Sequence, residues 1–151
     1  GDGLGLAFDS VYYSTAYVVK VSLDKNTGVI HIPKVWVALD VGIAIHPKNI
    51  IGQMEGQIIF AISNVLKERI TITHGAVDQS NFHDYPIMRM SEIPDIEVEI
   101  LTRKNSKPSG VGDSRLSAIP AAIANGFASL SDKRLRHLPF LPARVKAILS
   151  T

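Results

Sequence analysis

Apolar and polar positions change period several times along the chain, and each change marks an element. Residues 12–23 (YYSTAYVVKVSL) are crowded with β-branched and aromatic side chains and predict a strand. Asp24-Lys25-Asn26-Thr27-Gly28 carries turn chemistry, and residues 29–40 (VIHIPKVWVALD) predict the return strand of a long hairpin, with Pro33 at an edge or a bulge. From Ile50 to Leu66 the apolar side chains fall at Ile50, Met54, Ile58, Ala61, Ile62 and Val65, which is helical spacing. Gly52 and Gly56 within that helix each weaken it by about 1 kcal/mol relative to alanine, so close backbone contact is expected there. Residues 69–73 and 76–79, joined through His74-Gly75, predict a short hairpin, and residues 81–86 a loop that displays its side chains. Residues 95–102 (DIEVEILT) alternate apolar with acidic positions, as a half-exposed strand does. A last helix follows over 118–130, with Pro120 tolerated in its first turn.

These elements predict an α+β fold: a mostly antiparallel sheet built from β-hairpins, with two main helices, near 48–67 and 118–131, packed on one face. The opening Gly1-Asp2-Gly3-Leu4-Gly5 is expected to be a flexible or ligand-adjacent loop. The proline-broken residues after Leu138 are expected to form a surface tail. The corresponding organisation is one domain over residues 1–140 and a tail over 141–151.

A length of 151 residues suits a single domain. Net charge is only +2, with both signs mixed along the chain, so no strong field points to nucleic acid or lipid. The basic cluster Lys133, Arg134, Arg136, Arg144 and Lys146 suits a solvated helix end near the negative pole of the macrodipole. With no cysteine, the chain itself holds no disulfide, thiol nucleophile, cysteine-ligated zinc or iron–sulfur cluster. No apolar run approaches the roughly 20 residues that span a bilayer. The five histidines show no i, i+4 pairing of the kind that holds zinc, and no G-x-S-x-G nucleophile elbow is present.

Candidate chemistry concentrates in Ser109-Gly110-Val111-Gly112-Asp113, two closely spaced glycines that deliver a carboxylate just ahead of a helix. Glycines let a backbone turn sharply and let a bulky ligand come close, and a helix start offers unpaired N–H groups. An acid there is either a catalytic group shown to a cofactor or a residue that tidies the helix start. Glycines punctuate three sites, at 40–42, 52–57 and 110–113. One large, rigid, polar ligand could gather them, and spacing alone leaves that open.

The order of motifs resembles a known family. Ala38-Leu39-Asp40-Val41-Gly42, His46-Pro47 and Gly52-Gln53-Met54-Glu55-Gly56 resemble the "D-x-G … N-P … G-Q-x-E-G" signature of the molybdenum hydroxylases, the xanthine dehydrogenase and aldehyde oxidase family, in its molybdopterin-binding large subunit. Asn81-Phe82-His83-Asp84-Tyr85, Arg89-Met90 and Ile93-Pro94 resemble the next family segment. Gly110-Val111-Gly112-Asp113, Pro120-Ala121 and Ala124-Asn125 resemble its C-terminal "G-V-G-E … P-A … A-N-A" block. The ending Lys133-Arg134-Leu135-Arg136-His137-Leu138-Pro139 is most similar to the isoquinoline 1-oxidoreductase β-subunit group.

The resemblance implies a molybdenum–molybdopterin cofactor and hydroxylation of an N-heteroaromatic or an aldehyde, with water as the oxygen source. It implies Asp113 as general base, Gln53 as a hydrogen-bonding partner of the cofactor, and Gly110, Val111 and Gly112 as the loop that approaches it. Its implied partners are the remainder of the large subunit, an iron-sulfur (2Fe-2S) small subunit that takes the electrons, and a small-molecule substrate. The family's large subunit is several times longer, so the chain is expected to be its C-terminal segment, inactive when isolated.

The chain departs from the family pattern at four places. Asp113 stands in place of Glu, shorter by one methylene or roughly 1.3–1.5 Å, and misplacement by about 1 Å costs on the order of a hundredfold in rate. Ser114 to Ser117 replace a proline-rich stretch, His46 replaces the Asn of "N-P", and Gln57 replaces a second glycine. A non-catalytic paralogue, an interaction module and a small-ligand binding domain are the alternatives.

Overall fold

The computed structural model describes residues 1–10, 13–103, 105–112 and 117–150. Its main sheet takes strands β1 (Asp2–Ser10), β2 (Ser14–Leu23), β3 (Ile30–Asp40) and β6 (Asp95–Leu101) in the spatial order β1-β2-β3-β6. Between β3 and β6 the chain forms helix α1 (Pro47–Leu66) and a two-stranded hairpin of β4 (Ile72–Thr73) and β5 (Ala76–Val77). Helices α2 (Ala118–Ser131) and α3 (Pro142–Leu149) follow. The α+β architecture matches the sequence reading.

β1, β2 and β3 form an antiparallel meander. The register slips between Lys20 and Ser22, which face Lys34 and His31, so β3 carries the extra residue at Ile32-Pro33. A proline cannot donate to the ladder, and the bulge sits at the place Pro33 predicts. β6 instead pairs parallel with β3, Val35 beside Ile96 and Leu39 beside Ile100. A parallel neighbour needs a crossover connection, and α1 lies within it.

The inward positions of the sheet, among them Tyr17, Val19, Val21, Val35, Val37 and Leu39, are buried with Met54, Ile58 and Ile62 of α1 and Ile119, Ile123 and Phe127 of α2. Each fully buried aliphatic or aromatic side chain contributes about 1.5–3 kcal/mol. α2 lies across β1 and β2, with α1 beside it.

Two expectations are corrected. Residues 2–10 form strand β1 rather than a flexible loop. Gly3 and Gly5 leave room for α2: a Cβ on Gly5 would collide with the Ala122 carbonyl oxygen, and one on Gly3 with the Gly126 carbonyl and Ser129. After Leu138 the chain forms α3 rather than a plain surface tail. Pro142 opens that helix in a position that needs no N–H, and Phe140 and Val145 are buried in the core.

Candidate functional site

The bend after β3 is built by its own side chains. Asp40 Oδ1 accepts from the Gly42 N–H at 3.1 Å, and the Asp40 carboxylate also pairs with the Arg103 guanidinium. Gly42 has a φ of 71°, in the left-handed region that favours glycine. A Cβ there would run into the Lys107 carbonyl. The Arg103 N–H donates to the Gly42 carbonyl at 3.1 Å, and the Ser109 N–H to the Val41 carbonyl at 3.0 Å. The Asp-x-Gly bend is thereby strapped to the segment that leads into Gly110.

α1 starts from the same bend. His46 is its N-cap, with Nδ1 accepting from the Asn49 N–H at 3.2 Å and Pro47 opening the helix. Nδ1 accepts here just as an asparagine oxygen would, so the change from Asn to His keeps the cap. No acidic residue neutralises the first turn, which leaves the positive end of the helix dipole uncompensated there.

Ile43, His46, Asn49, Ile50 and Gln53 from this side, and residues 108–112 from the other, line one cavity of about 370 Å³. Gln53 is exposed on the helix surface, and Gly110 and Gly112 are exposed on the loop. A Cβ on either of those two glycines would meet nothing within 4 Å, so the loop shows open backbone. Gln53, Gly110, Val111 and Gly112 are thus brought together. Asp113, the expected base, lies outside the described residues, as do Ser114, Arg115 and Leu116.

Gly52 and Gly56 overturn an expectation. Neither has any atom within 4 Å of the place a Cβ would take, so they admit no close backbone contact within the described residues. Close approaches are made elsewhere: by Gly3, Gly5 and Gly126, where α2 meets the sheet, and by Gly28 and Gly42.

One residue of the site escaped the sequence reading as a contributor. Gln57 Nε2 donates to the Val111 carbonyl at 2.8 Å, joining α1 to the glycine loop. Its Oε1 is buried with no hydrogen-bond partner among the described residues. The only sequence signal was its standing where a glycine was expected.

A larger cavity, about 510 Å³, lies between the start of β3 and the end of α1. Its lining is largely apolar, with the Lys67–Glu92 ion pair on its wall, and it includes none of the predicted site residues. Among the described residues no cluster of three or more His, Cys, Asp or Glu side chains suits a metal ion.

Residues 3–94 match the family model described as molybdopterin cofactor-binding domain. The chain is 38% identical over 146 residues to the beta subunit of isoquinoline 1-oxidoreductase from Brevundimonas diminuta, a match covering 95% of this chain and 19% of that protein. It is 34% identical over 134 residues to a nicotinate dehydrogenase subunit from Pseudomonas putida, covering 89% of this chain and 11% of that protein. The crystal structure of quinoline 2-oxidoreductase from Pseudomonas putida 86 shares the fold, with a TM-score of 0.83 at 22% identity over 91% of this chain and 19% of that one. The chain spans less than a fifth of the length of each of these relatives.

Proposed function

The chain belongs to the molybdopterin cofactor-binding domain family, and from that premise we propose that it forms the cofactor- and substrate-facing C-terminal part of a molybdenum hydroxylase large subunit. The substrate class is an N-heteroaromatic ring or an aldehyde. What supports this reading is the cavity wall that Gln53 shares with Gly110, Val111 and Gly112.

The residues present suit such a group. Gly110 and Gly112 leave backbone uncovered where a rigid ligand can lie against it. Gln53, exposed on the same wall, presents an amide that can hydrogen-bond along the polar edge of a pterin. With no metal-ligating cluster among the described side chains, the wall suits a metal that arrives on its own organic ligand. When bound, the group supplies two-electron oxidation of the substrate carbon, with water as the oxygen source.

The chain's own contribution is binding, orientation and proton transfer. Gln53 offers its amide NH2 as donor and its carbonyl oxygen as acceptor to the cofactor from the exposed surface of α1. Gly110 and Gly112 bring the backbone close, with no side chain in the way. Asp113, next in the chain, is the general base that removes the proton as the oxygen nucleophile forms, a role that contributes typically 10²–10⁴-fold. The rest of the large subunit completes the cavity, and an iron-sulfur small subunit carries the electrons away.

The test is Asp113→Ala in the full-length enzyme. Turnover is expected to fall by a hundredfold or more, with bound molybdenum unchanged by metal analysis. Turnover retained at the parent level would dismiss Asp113 as the base.

A further inference from the structure

The glycine loop is held at two points. At its start, the Ser109 N–H and Oγ both donate to the Val41 carbonyl, at 3.0 and 3.2 Å. At Val111 the carbonyl accepts from Gln57 Nε2 at 2.8 Å, across 54 positions of sequence. Gly110 and Gly112 flank that second point, exposed and with open space around them. Two glycines without packed neighbours leave a backbone free to take many conformations, so the path there is fixed at Val111, by the Gln57 bond on its carbonyl and the packing of its side chain against the core. Val111 stands two residues before Asp113.

The amide orientation follows from chemistry, because a carbonyl takes only a donor and Nε2 is the donor of this side chain. That choice leaves Oε1 buried and without a partner among the described residues. An unpaired buried acceptor is destabilising, so a leucine of similar volume would serve packing better than this glutamine does. The amide makes sense as a tether.

We propose that Gln57 is a positioning residue: by holding the Val111 carbonyl against α1 it sets the course of the 110–112 backbone, which Asp113 follows in sequence. The inference rests on the reading of Asp113 as base. It adds a residue that acts through the loop and has no role in proton transfer itself.

Three variants of the full-length holoenzyme test it. Gln57→Leu removes the donor at similar volume and is expected to lower kcat about 10–100-fold, on the scale of a 1 Å misplacement. KM and molybdenum content should stay within twofold. In crystals of that variant the 110–112 backbone should shift by about 1 Å or lose order. Gln57→Glu keeps a donor only while its carboxyl is protonated, so its kcat relative to the parent should fall as pH rises through the glutamate titration. Unchanged kcat and an unmoved loop in Gln57→Leu would overturn the tether. If that variant fails to assemble, a flat relative pH profile in Gln57→Glu would do the same. Asp113→Ala separates the two ideas: turnover lost there but unaffected by Gln57→Leu removes only the tether, whereas turnover kept in Asp113→Ala removes the base, and with it the tether's catalytic purpose.

Discussion

Gly5 shows how one missing side chain sets the distance between two elements. A Cβ at this position would overlap the Ala122 carbonyl, and a Cβ on Gly126 would press into Val21. Strand and helix therefore meet backbone to backbone. Gly5→Val forces them apart and is expected to lower unfolding stability by about 2–3 kcal/mol, or roughly 5–10 °C in melting temperature. Gly56→Ala, where nothing occupies the space, should instead stabilise α1 by up to about 1 kcal/mol. Thermal unfolding of both variants checks the pair, and a Gly5→Val protein that melts with the parent would contradict the packing. These glycines were misread in the sequence because glycine is depleted in strands. The usable signal was alternation, Gly3, Gly5 and Ala7 facing inward between Leu4, Leu6 and Phe8, which are left 60%, 60% and 62% exposed. Gln57 was visible only as a departure, since a tether across 54 residues leaves no local trace.

At the scale of elements, α1 and the β2–β3 hairpin were legible because their periodicity is local. The partner of β6 was not. Its seven residues alternate as a strand should, but nothing within them states that β3 lies alongside in parallel. α3 was hidden by Pro139 and Pro142, which read as breaks although Pro142 starts the helix. Residues 81–86, expected to display their side chains, do so at Phe82 but are tied inward at Asp84. The Asp84 carboxylate accepts from the N–H groups of Asn81 and Ser80 and from the Ser80 hydroxyl. Those bonds, the Asn81 N–H foremost, hold its carboxyl down at about 2, below the ordinary value of 3.8. A group whose pKa falls on folding stabilises above its unfolded value and loses that contribution as pH drops. The loop should therefore be intact above pH 3.8 and loosen as pH falls toward about 2. A carboxyl carbon titration of Asp84 by NMR is expected to show a midpoint near 2, and a midpoint near 3.8 would contradict the hydrogen-bond cage.

Over the whole molecule, the β3 bend, the first turns of α1 and the glycine loop form one wall because β6 lies beside β3. That pairing carries the chain back so that Arg103 and Lys107 meet Gly42 and Ser109 meets Val41. The sequence held the motifs in family order, while their gathering depended on a crossover that no local pattern encodes. The outer sheet face, with Leu4, Leu6 and Phe8 exposed and Leu6 registered beside Val18 and Val18 beside Trp36, is apolar enough to suit a place within a larger subunit. A crystal structure of the full-length protein with its cofactor bound is the most direct test of that wall. The expected result places molybdopterin atoms within about 3.5 Å of the Gln53 side chain and the 110–112 backbone. A cofactor bound away from both, with the cavity between Ile43, Gln53 and Gly110 filled by solvent, would contradict it.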